Sequence, residues 1–360
     1  MSRGSRHVAV VIASLGAGGA ERVTARLAGA WVSRGDRVTI VTLSSGTEAA
    51  YPLDPRVRRI GLDLLADSYG RWQAVAASLA RIRAIRRALA AGRPDRILAM
   101  LDATNVLTLL ASTGLGIPVI VSERSDPSRY PARAEWQWLR RRTYPRARRV
   151  VVQTVRAARF FDRWRGVRVA VIPNPVVAPP VSGAPKAPVI AAAGRLGPEK
   201  GFDLLVDAFA RIASRFPDWR LVIYGQGRLE PELRARIARL GLADRATLAG
   251  HAEDLPARLA SAGVFVLSSR YEGFPNVLCE AMAAGTPVVA ADIASGPREI
   301  LRGGEDGVLV APESPAALAD GIAALLADPR RRLDLGERGR AVVTRYSLES
   351  VLAMWDDAMG

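Results

Sequence analysis

The sequence predicts an α/β protein with two domains, each a parallel sheet covered by helices. Short apolar runs such as HVAVVIAS (residues 7–14) alternate with longer amphipathic segments, the pattern of β/α/β units. The chain has 360 residues, more than one hydrophobic core usually holds. A stretch rich in Pro, Gly and Ala (178–188) separates two halves that both show this pattern, which indicates a linker between two domains.

The predicted elements follow this division. We assign 1–174 to a first Rossmann-like domain, 175–188 to the linker, 189–345 to a second Rossmann-like domain and 346–360 to a C-terminal helix. The predicted strands are 7–14, 37–43, 95–100, 118–122, 149–153, 169–172, 189–193, 220–224, 246–249, 264–268, 288–290 and 307–310. The predicted helices are 20–33, 72–90, 106–112, 202–216, 231–240, 255–260, 276–284, 315–327 and 347–359, with a basic, aromatic segment at 136–144.

Composition excludes several kinds of protein. A chain that is 49% hydrophobic and 24% charged is typical of a folded globular protein. It has no run of about 18 apolar residues, as a membrane span requires. The only cysteine is Cys279, interpreted as core packing, so internal disulfides and cysteine-based zinc sites are excluded. His7 and His251 are far apart, and no D-x-D triplet is present, so no metal site is expected.

Charge is distributed unevenly along the chain, whose net charge is +16. Residues 1–174 contain 30 arginines and 12 acidic residues, and the remainder is nearly neutral. Two segments of the first half combine arginine with apolar or aromatic side chains: 72–90 and 136–149. Trp and Tyr favour the headgroup region of a bilayer and Arg favours anionic lipid. The alternative is that these helices pack within the domain and their arginines are solvated.

The stretch YEGFPNVLCEAMAAGTPVV (271–289) is the strongest functional signal. Gly273 and Pro275 break regular structure before a predicted helix. A helix N-terminus attracts anions, and Glu272 and Glu280 flank this one. An anion site between two carboxylates suits a ligand with phosphate at one end and hydroxyls at the other. A nucleotide sugar is such a ligand.

A glycine loop, LGAGG, follows the first strand and contains Gly18 and Gly19. Such a loop ahead of a helix allows close approach of a phosphate, but it equally serves as a tight turn. A nicotinamide site would need an acidic residue at the end of the second strand. Here that strand ends in Leu43, Ser44 and Ser45, which argues against NAD.

The second half resembles the nucleotide-binding domain of family-4 retaining glycosyltransferases, which have the GT-B fold. The matching segments are GRLGPEKGFDLLVDAF, LVIYGQG, LAGHAEDLPARLASAGVFVLSSRYEGFPNVLCEAMAAGTPVVAAD and SGPREILRGGEDGVLVAPESPAAL. In the first half GAGGAERV and SERSDP are weaker matches. With SGPREI they resemble members that build bacterial surface and lipid-linked glycans from UDP-sugars. The resemblance implies two domains facing across a cleft and a last helix that crosses back to the first.

The resemblance also implies residue roles on the donor side. Arg195 and Lys200, on a loop after a strand, would bind the diphosphate. Glu280 would accept from the ribose hydroxyls, and Glu272 would contact the donor sugar and support the reacting centre. The sugar and phosphate pocket would be lined by the backbone of Gly273, Phe274, Pro275 and Asn276. The base would be held, largely through backbone, by Gly250, His251, Ala252 and Glu253.

The implied reaction is retaining transfer by front-face attack of the acceptor hydroxyl, without a metal, because two cations and a helix N-terminus can stabilise the leaving phosphate. Many relatives carry His after the middle strand, where this chain has Arg124. That residue is assigned to the acceptor side with Asp102 and Arg22, and binding of an acceptor phosphate is one role open to it.

Three functions compete at this point. The first is a retaining transferase that uses a nucleotide sugar, expected to be UDP-linked, and a glycan or polyprenyl-linked acceptor, with no cofactor. The second is a non-hydrolysing UDP-sugar 2-epimerase of GT-B type. Such an enzyme would require more acid–base residues than the two distant histidines that this chain supplies. The third, a basic nucleic-acid-binding protein, lacks any nucleic-acid motif. The first predicts a cytoplasmic enzyme whose basic half binds the inner membrane face.

Overall fold

The computed structural model describes residues 4–45, 49–65, 71–128, 134–178 and 186–360. Residues 179–185 of the predicted linker lie outside the described residues. The chain divides into two compact units: unit 1 contains Met1–Pro173 with Val351–Gly360, and unit 2 contains Asn174–Ser350. Each unit is described separately below.

Unit 1 is built on a parallel sheet whose strands pair in the order β3-β2-β1-β4-β5-β6-β7. The central strands are apolar and buried on both faces because helices cover them. The strands are β1 His7–Ile12, β2 Arg37–Thr42, β3 Arg58–Gly61, β4 Arg96–Met100, β5 Val119–Ser122, β6 Arg149–Val152 and β7 Val169–Val171. The helices are α1 Gly19–Ser33, α2 Arg71–Gly92, α3 Asp102–Ala111, α4 Ala134–Thr143 and α5 Val155–Arg159, with a 3₁₀ turn at Tyr144–Arg146.

Unit 2 repeats this architecture on a second parallel sheet, in the order β10-β9-β8-β11-β12-β13. Its strands are β8 Ala187–Ala193, β9 Arg220–Tyr224, β10 Ala246–Gly250, β11 Ala262–Leu267, β12 Val288–Ala291 and β13 Val308–Val310. Its helices are α6 Phe202–Ile212, α7 Glu230–Arg239, α8 Leu255–Ser261, α9 Asn276–Ala283, α10 Pro297–Ile300, α11 Pro315–Ala327, α12 Pro329–Gly339 and α13 Val342–Arg345; 3₁₀ turns lie at Pro198–Lys200 and Arg302–Gly304. Helix α14, Leu348–Met359, follows and ends in unit 1.

Both sheets have a topological switch point, where the order of strand connection reverses. In unit 1 it lies between β1 and β4, and in unit 2 between β8 and β11. Loops leaving the carboxyl ends of two such strands diverge to opposite sides and leave a crevice, which is where ligands bind in open α/β sheets. The loops after β8 and β11 are therefore the first place to look for a site in unit 2.

The last turns of the chain pack against unit 1 through a defined set of contacts. The fully buried Trp355 meets Trp31 edge-on, with ring centroids 6.5 Å apart. Asp356 pairs with Arg6 at 2.7 Å and with Arg34 at 3.1 Å. Asp356 therefore does not lie on a solvated face of the helix, because two arginines of unit 1 neutralise it.

The predicted α/β class with two Rossmann-like domains is confirmed, but some elements were missed. Strand β3 was not predicted because its sequence, RRIG, is mostly exposed and has no apolar run. Helix α12 was not predicted either, because its sequence is highly charged and contains two glycines. Its start is fixed by the Asp328 side chain, which accepts a hydrogen bond from Arg331 N. Helix α3 begins at Asp102 rather than Val106, which places Asp102 in the first turn of a helix.

Candidate active site

Lys200 and Glu272 meet at the switch point of unit 2. Lys200 lies on the loop after β8 and Glu272 on the loop after β11, and Lys200 Nζ is 2.6 Å from Glu272 Oε1. Ser269 Oγ donates to the same oxygen at 2.7 Å. The Lys200 and Glu272 side chains are only 19% and 10% exposed. The sequence places these two charges 72 positions apart, and the parallel sheet brings them into contact.

Glycine and a buried serine fix the position of this pair. Ser268 Oγ donates to the Lys200 carbonyl oxygen at 2.9 Å, which ties the β8 loop to the end of β11. Gly201 has φ +62°, and any side chain there would collide with the Ser268 carbonyl oxygen. Glycine is therefore required for the close approach of the two loops.

Arg195 lies on the same loop as Lys200 but is turned towards Glu199. Its guanidinium bonds Glu199 Oε1 at 2.7 and 3.0 Å, and its side chain is 76% exposed. Burial by itself would raise the pKa of Glu199, but the Arg195 hydrogen bonds hold that pKa below its ordinary value. Arg195 is thus an exposed side chain whose ion-pair partner is its i,i+4 neighbour.

Helix α9 begins directly after the loop that carries Glu272, as predicted. Its first amides, those of Asn276 and Val277, have no carbonyl within the helix to accept them, so they are available to an anion. Asn276 Oδ1 accepts from Asn174 Nδ2 at 2.6 Å, which holds the start of the helix in place. Behind it, Phe274 packs edge-on against Tyr346, with centroids 5.6 Å apart.

Glu280 and Cys279 lie side by side on α9 in different surroundings. Glu280 is half-buried, whereas Cys279 is 1% exposed. Burial raises the pKa of the Cys279 thiol, so it stays protonated and unreactive. The interpretation of Cys279 as core packing is confirmed.

The predicted base-binding segment follows β10, at the edge of the sheet. Gly250 is in the left-handed region with φ +69°, and its carbonyl accepts from Gly225 N at 2.7 Å. His251 and Glu253 are exposed, and Ala252 is half-buried. The backbone here is well anchored while its side chains point into solvent, and its role stays a prediction.

In unit 1, the glycine loop after β1 leads into α1. Gly18 is the residue before the helix and Gly19 its first residue. The carboxylate of Glu21 folds back over Gly18, so a side chain at position 18 would collide with it. Burial raises the pKa of Glu21, while the charge of Arg124 opposes that rise. Sequence reasoning missed Glu21; an acid in the first turn after a glycine loop was the available signal.

The acceptor-side candidates also lie near the carboxyl ends of unit 1 strands. Burial lowers the pKa of Arg124 to about 10, and Glu21 acts in the opposite direction. Asp102 opens α3, directly after β4, and Arg22 lies in the first turns of α1; both are half-buried. The structure thus groups these residues with Gly18 and Gly19 at the switch point of unit 1.

Arg140 is not a surface residue, although it belongs to the arginine-rich segment 136–149 that was expected to face a membrane. Its side chain is 1% exposed and bonds Glu123 Oε1 at 3.0 Å. The Tyr144 hydroxyl donates to the same carboxylate and accepts from Asn105 Nδ2 at 3.2 Å. Burial raises the pKa of Glu123, with Arg140 acting against it. Arg140 therefore stabilises the interior of unit 1.

The described residues contain no group of three or more His, Cys, Asp or Glu side chains that could hold a metal ion. In the same part of the chain, no helix is both long enough and apolar enough to cross a bilayer.

Comparison with known proteins gives the class of this fold and site. Residues 179–342 match the family model described as glycosyl transferases group 1, and residues 18–175 match the model described as glycosyl transferase 4-like domain. The solved structure of HepE from Anabaena, in complex with UDP, superposes with a TM-score of 0.81 over 98% of this chain and 99% of that one, at 20% identity. Because both halves match, the chain belongs to the family-4-like glycosyltransferases with the GT-B fold, and the predicted resemblance is confirmed.

Two curated relatives cover different parts of the chain. An exopolysaccharide phosphotransferase of Streptomyces coelicolor is 36% identical over 216 residues, which are 58% of this chain and 23% of that protein. A Campylobacter jejuni protein is 27% identical over 354 residues, 97% of this chain and 96% of that one. Its name is GalNAc-alpha-(1->4)-GalNAc-alpha-(1->3)-diNAcBac-PP-undecaprenol alpha-1,4-N-acetyl-D-galactosaminyltransferase. The chain therefore spans about a quarter of the first relative and nearly all of the second.

Proposed function

We propose that this glycosyltransferase moves a hexosyl group from a UDP-sugar to a glycan or polyprenyl-linked acceptor in bacterial glycan assembly, with retention of configuration and without a metal. The observation that carries the proposal is the Lys200–Glu272 pair at the switch point of unit 2. It places a cation and a carboxylate next to the N-terminus of α9, as a donor with both phosphate and hydroxyl groups requires.

The leaving diphosphate needs compensation for the negative charge that develops on it. Lys200 Nζ and the first amides of α9 supply positive charge at fixed positions. Arg195 is exposed and held by an i,i+4 surface pair, which contributes little stability, so a phosphate can displace Glu199 as its partner. These groups replace the metal ion that other transferases use.

The two carboxylates act on the hydroxyl groups of the donor. Glu272 Oε1 accepts from Lys200 and Ser269, and within the described residues Oε2 receives no hydrogen bond. This second oxygen is assigned to a hydroxyl of the donor sugar. Glu280, one turn into α9, is assigned to the ribose hydroxyls.

Retention follows if the acceptor oxygen attacks the anomeric carbon on the face from which the diphosphate departs. The bond from the anomeric carbon to the phosphate oxygen breaks as the bond to the acceptor oxygen forms. The hydroxyl proton passes to the departing β-phosphate, which becomes basic as it leaves. No residue of the chain has to be covalently modified, which is consistent with the inert, buried Cys279.

Unit 1 is assigned to the acceptor. Arg124, Asp102 and Arg22 lie by the switch point of its sheet. An arginine is the side chain best suited to a phosphate ester, because its guanidinium can bind two oxygens at once. The Campylobacter jejuni relative, which matches nearly all of this chain, is named for a PP-undecaprenol substrate. That name supports an acceptor that carries pyrophosphate.

We also propose that unit 1 rests on an anionic membrane, such as the inner face of a cytoplasmic membrane. The support is the excess of arginine in residues 1–174 and the exposure of Leu65, Val75, Leu79 and Trp138, which are 44–58% exposed. Arg142 lies over the Trp138 ring at 5.4 Å, the combination of charge and aromatic surface that favours a headgroup layer.

The test of the catalytic proposal is turnover of a panel of UDP- and GDP-sugars, with and without glycan acceptors. Release of UDP that depends on acceptor supports transfer. Epimerisation of the UDP-sugar without an acceptor would instead make the protein a 2-epimerase. The absence of turnover for every nucleotide sugar, with and without acceptor, would contradict both.

A further inference from the structure

Unit 1 contains a second cationic site that the proposed transfer reaction does not use. A pocket of about 760 Å³ is lined by Phe160 and Trp164 and by four arginines: Arg141, Arg159, Arg163 and Arg165. It is formed by α4, by the last residue of α5 and by the segment between α5 and β7. None of these residues belongs to the donor or acceptor candidates described above.

Within the part of the chain that the structure describes, none of the four arginines of this pocket forms an ion pair with an acidic side chain. Some exposed arginines elsewhere pair with a neighbouring carboxylate, as Arg234 does with Glu230 and Arg258 with Asp254. Across the described residues, no ion pair or hydrogen bond engages the side chains that line the pocket. Four like charges around one cavity repel each other, and an anion in the cavity would remove that repulsion.

The floor of the pocket is a packed aromatic cluster. Trp164 packs against Phe161 and Phe160, with ring centroids 5.1 and 5.6 Å apart. The Arg141 guanidinium lies 5.6 Å from the centre of the Trp164 ring, and that of the buried Arg140 lies 5.7 Å from it. Arg140 is in turn held by Glu123, so the buried ion pair fixes the ring that positions Arg141.

We infer that this pocket binds a phosphate-bearing ligand. Guanidinium groups bind phosphate oxygens in pairs, which suits four arginines converging on one cavity. Trp164 and Phe160 offer an apolar surface to the ring or chain attached to the phosphate. The phosphate belongs either to a free anion or to a lipid headgroup, and the experiment below separates these sources.

The experiment compares the wild-type protein with Arg163→Gln/Arg165→Gln. Both residues are exposed, so the fold is expected to persist, as thermal melting would show. The matched control is Arg58→Gln/Arg59→Gln on β3, which removes the same charge from exposed positions of the same unit outside both arginine-rich segments. The probes are sodium tripolyphosphate, measured by calorimetry, and vesicles of phosphatidylglycerol and phosphatidylcholine, measured by co-sedimentation.

If the pocket binds phosphate, the pocket variant should lose affinity for at least one probe by about tenfold, and the control variant by less than about twofold. Loss for tripolyphosphate identifies a free anion as the source, and loss for vesicles alone identifies a headgroup. Equal loss in both variants, or no binding of either probe to the wild type, would overturn the inference. If the double variant melts at a lower temperature than the wild type, the single variants Arg165→Gln and Arg59→Gln are compared in its place.

Discussion

Lys200 Nζ lies 2.6 Å from Glu272 Oε1, joining the two loops that leave the switch point of the second sheet. Both side chains are mostly buried, so the charge of each is compensated mainly by the other. A donor diphosphate that binds Lys200 would therefore meet a cation that is already desolvated and held in place. This relationship is the basis of the predictions for Glu272 and for Lys200.

Replacing Glu272 and Glu280 should separate chemistry from nucleotide binding. Glu280→Ala should weaken UDP binding, because the ribose loses its carboxylate. Glu272→Ala should lower kcat while leaving UDP affinity nearer to normal, because the lost contacts are to the sugar. UDP titration by calorimetry, combined with steady-state kinetics, measures both effects. The reverse order of UDP affinities would exchange the two roles.

Arg195→Ala should cost about 3 kcal/mol of transition-state stabilisation, roughly a hundredfold in kcat/KM, because a charge on the leaving phosphate loses its counter-ion. The matched control is Arg234→Ala, which breaks another exposed i,i+4 pair of the same unit, Arg234–Glu230. The control should change neither rate nor melting temperature measurably. If both variants retain normal turnover, Arg195 does not touch the diphosphate.

Metal removal should leave activity intact. The positive charge at the proposed phosphate site comes from side chains and helix amides, so excess EDTA should not change the initial rate of transfer. The same assay with added magnesium or manganese serves as the reference. Complete loss in EDTA that either ion restores would show that the donor site was misassigned.

The last helix should be essential to unit 1. Trp355 is fully buried against Trp31, so Trp355→Ala should destabilise that unit by about 3–5 kcal/mol, and truncation after Tyr346 by more. The control is Met354→Ala, at a neighbouring position that is 39% exposed, with an expected change within about 0.5 kcal/mol. Denaturant melts measure both variants. Unchanged melting of the truncated protein would contradict this role.

Arg140 and Arg142 should behave differently on substitution, although they are neighbours in sequence. Arg140→Glu places a second acid beside the buried Glu123 and should lower the melting temperature strongly. Arg142→Glu changes an exposed side chain and should leave folding intact while weakening binding to anionic vesicles at low salt. If the Arg142 variant sediments with vesicles as the wild type does, the proposed membrane contact through α4 is wrong.

The fold could be predicted because its signals are local. Buried parallel strands appear as apolar runs, and glycine loops mark their carboxyl ends, so β8, β11 and α9 were located to within a few residues. Strand β3 escaped prediction because an edge strand needs no apolar run. Arg140 was misassigned because a charged residue in a basic segment looks solvated, and only the tertiary structure supplies its partner, Glu123.

The loops of the candidate site could be located from the sequence, but the contacts between them could not. The loops carrying Lys200 and Glu272 were identified from motifs, yet nothing local in the sequence shows that the two side chains form a pair. Ser269 was missed for the same reason: its role depends on pointing at Glu272, which only the geometry of the loop after β11 reveals.

Transfer from a UDP-sugar by the Lys200→Ala variant tests the central claim most directly. The wild type should transfer the sugar with retention, seen by proton NMR as the same anomeric configuration in donor and product. Lys200→Ala should be slower by roughly a hundredfold, about 3 kcal/mol, with its fold intact. An inverted product from the wild type, or near-normal turnover by the variant, would contradict the assignment of Lys200 and Glu272 to a retaining donor site.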